Sequence, residues 1–299
     1  MLNPFRLKED ANYRLILFII FFGTFAGNYN LVSLNVALPG FVDVFDVSIQ
    51  QVQWIVTAFN LAAGVVIPVA NFIIQRFGLK QTFIVILVGI CITSLLCSIS
   101  WGIDSLVVFR VVQGLFCGLL QPISLAMIYI LFPKKKQAFA LSIWSFSTVL
   151  ATSIGPTLSG WLLTYNWHYI FLVTVPISLI IIVLAIISLP VGQRNVSETL
   201  DWLGLVSITI GSFCLLLFFG NMSSWAFTSF AAQLTLWLGL LGIVFFVTWQ
   251  FRTKKPLLDL RLVLNPIFAI SLLISICITF GLYAGVYFIP FYLVEIKHL

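Results

Sequence analysis

Residues 105–132 read SLVVFRVVQGLFCGLLQPISLAMIYILF. A helix crosses the hydrocarbon core of a bilayer with roughly 20 apolar residues, so this stretch is long enough to do so. It contains a single charge, Arg110, about 8 Å from its start at 1.5 Å rise per residue. A charge at that depth is expensive unless it faces a protein interior or a wet cavity. The stretch therefore points to an integral membrane protein, with Arg110 as its first candidate functional residue.

The remainder of the chain agrees. Hydrophobic residues make up 61% and charged residues 8%, against about 25% charged in a soluble domain. Such a chain has too little polar surface to dissolve in water. Nine apolar spans are predicted, near 15–38, 51–75, 81–101, 105–132, 138–163, 168–190, 203–220, 232–250 and 268–291. The runs are continuous and do not alternate, which favours helices over a β-barrel. The fold class expected is an all-α polytopic membrane protein. The first span is too long for a cleaved signal peptide.

Basic residues sort by side. Arg6, Lys8, Arg14, Arg76, Lys80, Lys134, Lys135, Lys136, Arg194, Arg252, Lys254, Lys255 and Arg261 fall on one face, 13 of the 15 Lys and Arg. Arg110 and Lys297 are the exceptions. The positive-inside rule then predicts a cytoplasmic N-terminus. The net charge of +6 reports topology and contact with anionic headgroups, not nucleic acid. Most of the tryptophans fall near span ends, as interfacial anchors do. Cys91, Cys97, Cys117, Cys214 and Cys277 lie inside spans without metal-ligand spacing. They read as small apolar packing residues, and no cofactor or metal is expected.

In the fourth span, Gln113 lies three residues from Arg110, so both project to similar sides of the helix. Gly114 and Gly118 form a GxxxG pair that lets a second helix approach closely. Two placements of Arg110 stay open. It lines a hydrated central cavity, or it is tied to backbone carbonyls or snorkels to the nearby interface. In the fifth span Gly155, Pro156 and Gly160 interrupt the helix, as a static kink or as a hinge.

Together these segments resemble the major facilitator superfamily, and within it the 14-helix drug:proton antiporter branch. NVALP at Asn35–Pro39 is similar to that branch's signature. RFGLK resembles the family's basic cytoplasmic turn, through Arg76, Gly78 and Lys80. Arg110, Gln113 and Gly114 match RxxQG. Gly155, Pro156 and Gly160 match GPxxGG, with Ser159 in the penultimate place. WHYIFLVTVPI resembles the entry to helix six, with His168 where arginine is usual. KKPLLDLRL at Lys254–Leu262 resembles the segment ahead of helix nine. The departures are Asn30, where the branch places an aspartate, and Gln75 and Asn71 in the basic turn.

The resemblance implies a transporter that moves substrate between two six-helix halves by alternating access. Residues 1–190 would be the N-terminal half, 191–262 a cytoplasmic linker with two extra helices, and 263–299 the first helix of an incomplete C-terminal half. Five helices of the 14-helix plan would be absent. The implied activity is efflux of small amphipathic compounds across the cell (inner) membrane. Arg110, Gln113 and Asn30 would serve substrate or coupling. Gly114, Gly118, Gly155, Pro156 and Gly160 would serve packing and hinge motion, and Arg76, Gly78 and Lys80 would form the gating loop. Protons are a possible co-substrate by resemblance only, because Asn30 cannot titrate and no acid lies deep in a span. The alternatives are a non-transporting fragment or remnant of such a transporter, and a polytopic membrane enzyme. The enzyme would need a catalytic constellation that His168 and His298 alone do not supply.

Overall fold

Ser48 starts the second crossing. Its side chain accepts a hydrogen bond from the Gln51 backbone while the Gln51 side chain accepts from the Ser48 N–H, which satisfies two donors that a helix start leaves orphaned. The computed structural model describes residues 13–191, 201–222, 225–253 and 256–291, the last ten by backbone alone. Most of the linker at 192–200 lies outside the described residues, as do Arg6, Lys8, Arg194, Lys254, Lys255, Lys297 and His298.

The helices are α1 Tyr13–Val32, α2 Leu38–Phe45, α3 Ile49–Val66, α4 Ala70–Phe77, α5 Leu79–Ser98 and α6 Ile103–Leu131. They continue with α7 Lys134–Leu163, α8 His168–Leu172, α9 Thr174–Ser188, α10 Trp202–Gly220, α11 Phe230–Arg252 and α12 Pro266–Phe291. The described residues contain no strand. Eight helical segments among them are long and apolar enough to cross a bilayer, with α3–α4 and α8–α9 each counting as one. The ninth expected span is present as α12.

Three expectations are corrected. The first span was expected to run to residue 38 as one helix, but α1 stops at Val32. Residues 33–37 form a turn, and a short second helix α2 begins with Pro39 in its first turn. Proline has no N–H to donate to a preceding helix but suits a first turn, so NVALP is a helix break followed by a helix start. The second span is interrupted, because Pro68 turns residues 67–69 into a 3-10 segment between α3 and α4. Cys277 is exposed, unlike the four buried cysteines, and so is not a packing residue here.

Six crossings pack around each other: α1, α3–α4, α5, α6, α7 and α8–α9. Helices α1, α5 and α6 are the most enclosed. Two large apolar clusters fill the bundle, beside a small third one at Phe25, Tyr29 and Ala151. One lies around Ile20, Phe83, Ile123 and Met127, the other around Leu34, Phe41, Ile55 and Phe171. Helices α10 and α11 form a hairpin that packs mainly on itself and touches α3. The side chains of α12 described to residue 281 are exposed throughout, apart from the half-buried Ala269.

Candidate functional site

The two apolar clusters leave a polar seam between them, built by residues from five helices. Arg110 is completely buried and neither reaches the interface nor turns to lipid. Its Nε donates to the Ile55 carbonyl (3.3 Å), Nη1 to Gln113 Oε1 (2.6 Å) and Nη2 to the Asn30 carbonyl (3.0 Å). The guanidinium carbon sits 3.8 Å from the centre of the Phe59 ring, a cation–π contact that strengthens when desolvated. Of the two placements left open, the structure shows the tie to backbone carbonyls, with an amide and an aromatic face completing the enclosure.

Each partner has a local reason to be there. Asn30 lies in the last turn of α1, where carbonyls lack partners within the helix. A cation is favoured at a helix C-terminus by the aligned backbone dipoles, so Arg110 caps α1 from inside the bundle. Gln113 is one helical turn on from Arg110. Its Nε2 donates to Asn30 Oδ1 (3.1 Å) and to Ser94 Oγ (2.8 Å), and Ser94 pairs with Thr174 Oγ1 at 3.0 Å. The Asn30 amide donates back to the Ala26 carbonyl (2.9 Å). The seam thus links α1, α3, α5, α6 and α9. Sequence reasoning missed Ser94 and Thr174. Their only signal is a hydroxyl in an apolar run, which a helix normally satisfies with its own carbonyls.

Charge in the seam is one-sided. Among the described residues no carboxylate reaches Arg110, and Asp43, Asp46, Asp104, Asp201 and Asp259 all lie at helix ends or in the short helix α2. Buried cations are normally paired. Here neutral oxygens and one helix terminus take that role. Nothing in the seam exchanges a proton near neutral pH, because Asn30 and Gln113 are amides and arginine stays protonated.

The glycines of α6 face α3. A Cβ added at Gly114 would collide with the Phe59 carbonyl, and one at Gly118 with the Ala63 backbone. Only glycine allows this approach, which holds Ile55 and Phe59 against Arg110. Gly155 meets α1 instead, where an added Cβ would stand 2.8 Å from Val32 Cγ2. One turn on, Ser159 Oγ pairs with the Tyr29 hydroxyl at 3.1 Å. Pro156 sits inside α7, which stays helical from 134 to 163. Gly160 has room, with Val36 at 3.7 Å.

The basic turn is separate from the seam. Gly78 adopts φ 85°, a left-handed value that side chains resist, and so joins α4 to α5. Lys80 Nζ donates to the Ile186 carbonyl at 2.6 Å, near the C-terminus of α9. Arg76 is exposed and lies over Phe72. Gln75 bonds to Asn71 at 3.2 Å, so two of the departures from the family pattern satisfy one another.

A second polar group, also missed from sequence, lies beside the seam. Asn28 Nδ2 donates to Thr148 Oγ1 (3.2 Å), and the Gln121 amide donates to Asn28 Oδ1. Asn28 and Gln121 border a cavity of about 150 Å³ between α1, α3 and α6, shared with Thr24, Ala63 and Cys117. Two amides in apolar spans are the signal that was available.

The family model described as Major Facilitator Superfamily matches residues 17–299. The chain belongs to the Major Facilitator Superfamily. It is 32% identical over 287 residues to the uncharacterized MFS-type transporter YhcA of Bacillus subtilis, covering 96% of this chain and 54% of that one. It is 31% identical over 255 residues to the probable multidrug resistance protein EmrY of Escherichia coli, covering 84% and 49%. The chain therefore spans about half the length of the curated relatives it matches. Among solved structures, a peptide transporter POT in complex with sulfate superposes with a TM-score of 0.59 at 15% identity, over 80% of this chain and 53% of that one. The human organic anion transporter MFSD10 gives 0.55 at 13%, over 78% and 70%. Those two likenesses show the fold. Membership makes this a multi-pass protein of the lipid bilayer and removes the polytopic-enzyme alternative.

Proposed function

We propose that this chain supplies the N-terminal half of an exporter of small amphipathic compounds, working by alternating access. The observation that carries the reading is the enclosed Arg110–Gln113–Asn30 seam. It ties five helices together through hydrogen bonds in a medium that offers no competing water, so those helices move as one body against a second half, with α7 packed on α1. Residues 1–190 are that body, 191–262 a linker with the α10–α11 pair, and 263–299 the opening of the second half. Similarity to a probable multidrug resistance protein supports the substrate class. Gly114 and Gly118 set the α3–α6 distance, Gly155, Pro156 and Gly160 let α7 bend against α1, and Arg76, Gly78 and Lys80 gate the basic end.

That end is cytoplasmic by the positive-inside rule. The starts of α1 and α7 share it, since Lys136 Nζ lies 4.0 Å from the Tyr13 ring centre. Proton coupling rests on family resemblance. Among the described residues every acid sits at a helix end or in the short helix α2, so none of them stands inside a span where it could carry that coupling.

The test is dye retention in a pump-deficient bacterial strain expressing the gene that carries this sequence, with cationic ethidium and uncharged Nile red. Expression lowers retention of at least one dye, and Arg110→Ala restores it at equal membrane abundance. Retention equal to an empty vector for both dyes refutes the exporter reading. An efflux rate independent of pH rejects antiport.

A further inference from the structure

At the end of the bundle opposite Lys134–Lys136, a groove of about 260 Å³ opens between the starts of α3 and α6. Gln51, Trp54, Ile103, Asp104, Val107 and Val108 line it. Asp104 is exposed in the first turn of α6. No lysine or arginine lines the groove, so nothing in it balances that carboxylate. Half-buried Trp54 adds an aromatic face, which attracts cations. The Gln51 Oε1 is taken by the Ser48 N–H and hydroxyl, at 3.0 and 3.1 Å. Its amide N–H groups are left for another acceptor. Below Asp104, the side chains of Val108, Val111, Val112 and Leu115 are all exposed. Spacings of three and four place them under Asp104 on one face of α6.

We propose that this groove seats the headgroup of a zwitterionic phospholipid, with an acyl chain lying along the apolar face of α6. Asp104 and Trp54 take the ammonium, and the Gln51 amide donates to the phosphate. Size points to a headgroup. About 260 Å³ falls below the roughly 300–1,000 Å³ of pockets that enclose a drug-sized ligand. Depth agrees, because tryptophan gathers at headgroup level, and Trp101, 82% exposed, stands two residues before α6. Charge decides the class. An anionic lipid would set its phosphate beside Asp104 with no ammonium to balance either, and a simple cation would leave the Gln51 donors unused. The inference stands apart from the exporter reading, because it concerns the lipid around the bundle and needs no transport.

The experiment is native mass spectrometry of the full-length protein, delipidated in detergent and titrated with phosphatidylethanolamine or phosphatidylglycerol of identical chains. Asp104→Asn weakens the first ethanolamine lipid about tenfold, the factor of one hydrogen bond to a charged group. It leaves the glycerol lipid no weaker, since that lipid binds at the basic end. Asp43→Asn, which neutralises an exposed acid of α2 outside the groove, changes neither. Val108→Trp fills the groove from an exposed position and reproduces the selective loss, so it carries the test should Asp104→Asn not fold. Hexadecyltrimethylammonium, which has charge and chain but no phosphate, does not displace the ethanolamine lipid. Equal ethanolamine-lipid affinity in wild type and Asp104→Asn overturns the proposal. So does equal weakening of both lipids, or displacement by the cation, which would assign the groove to cationic amphiphiles.

Discussion

Removing Gln113 should destabilise this protein more than removing Arg110, although the arginine is larger and charged. Arg110→Met deletes three hydrogen bonds and the contact with Phe59. It leaves the Asn30 carbonyl unpaired, at about 1–3 kcal/mol, and leaves Gln113 Oε1 with only the weak Cys97 thiol donor at 3.8 Å. It also deletes the buried charge, whose desolvation costs several kcal/mol in the folded state. Loss and relief nearly offset, and the net effect is about 0–2 kcal/mol. Gln113→Leu keeps the guanidinium buried and removes its shortest bond, the 2.6 Å contact to Nη1. It also cuts the links to Asn30 and Ser94. Stripping one partner from a buried charge costs about 3–5 kcal/mol. The difference between the variants is therefore about 3 kcal/mol, with the glutamine the more sensitive.

The double variant sharpens the test. Once Arg110 is methionine, Gln113→Leu no longer strands a charge, so the pair should be more stable than Gln113→Leu alone. Equilibrium unfolding of the purified protein in mixed micelles, followed by tryptophan fluorescence, measures all three. A milder effect for Gln113→Leu than for Arg110→Met would refute the reasoning, as would strict additivity in the double variant. Either outcome would mean that the guanidinium is hydrated or paired in a way the seam does not provide.

Two further outcomes follow from neighbouring geometry. Gly118→Ala should destabilise by about 1–3 kcal/mol, since its Cβ meets the Ala63 backbone and cannot be accommodated by a side-chain shift. Gly64→Ala on α3 meets open space and should be neutral or stabilising by up to about 1 kcal/mol, so the same unfolding assay should give opposite signs. Asp201→Ala should loosen the α10–α11 hairpin, because Asp201 accepts from the Gly204 N–H, Trp249 Nε1 and Gln250 Nε2 at 2.8–2.9 Å. Hydrogen exchange should rise in α10 and α11 and stay unchanged in α1–α9. Exchange left unchanged in the hairpin would show that Asp201 is not its clamp.

Much of the architecture was legible because a bilayer imposes one simple demand, an apolar run of sufficient length, and each expected span announces itself that way. Interruptions were harder to read. Pro39 and Pro68 both sit in apolar sequence, and whether a proline ends, starts or merely bends a helix depends on which neighbour takes the freed carbonyls. The RxxQG spacing placed Arg110 and Gln113 on one side of α6, as found. It could not say what that side faces, since the answer lies 80 residues away in the last turn of α1. Asn30 was noticed for the carboxylate it lacks. Its backbone carbonyl, which the one-letter code does not show, is what holds the guanidinium. Thr24, Asn28 and Gln121 escaped notice because an isolated hydroxyl or amide in a helix usually finds a local partner, and only the packed bundle shows that Thr24 does not.

The seam separates two roles that one arginine could combine. A cation held by a titratable acid is a switch: protonating the acid frees the charge, and the helices re-pair. A cation held by carbonyls, an amide and a helix terminus has no such second state near neutral pH. In this chain Arg110 therefore fixes geometry, and under the proposed exporter reading the driving energy would enter through other groups. Asn30→Asp would restore the missing acid beside Gln113 and the guanidinium. If the seam is rigid by virtue of its neutrality, that single change should make stability depend on pH. The ionised carboxylate, favoured next to a cation, should add stability that is present at neutral pH and lost in acid as the carboxylate protonates, while the native seam stays flat over the same range. A wild-type unfolding free energy that already falls steeply there, with no change in Asn30→Asp, would place a titrating partner on Arg110 that the seam does not contain.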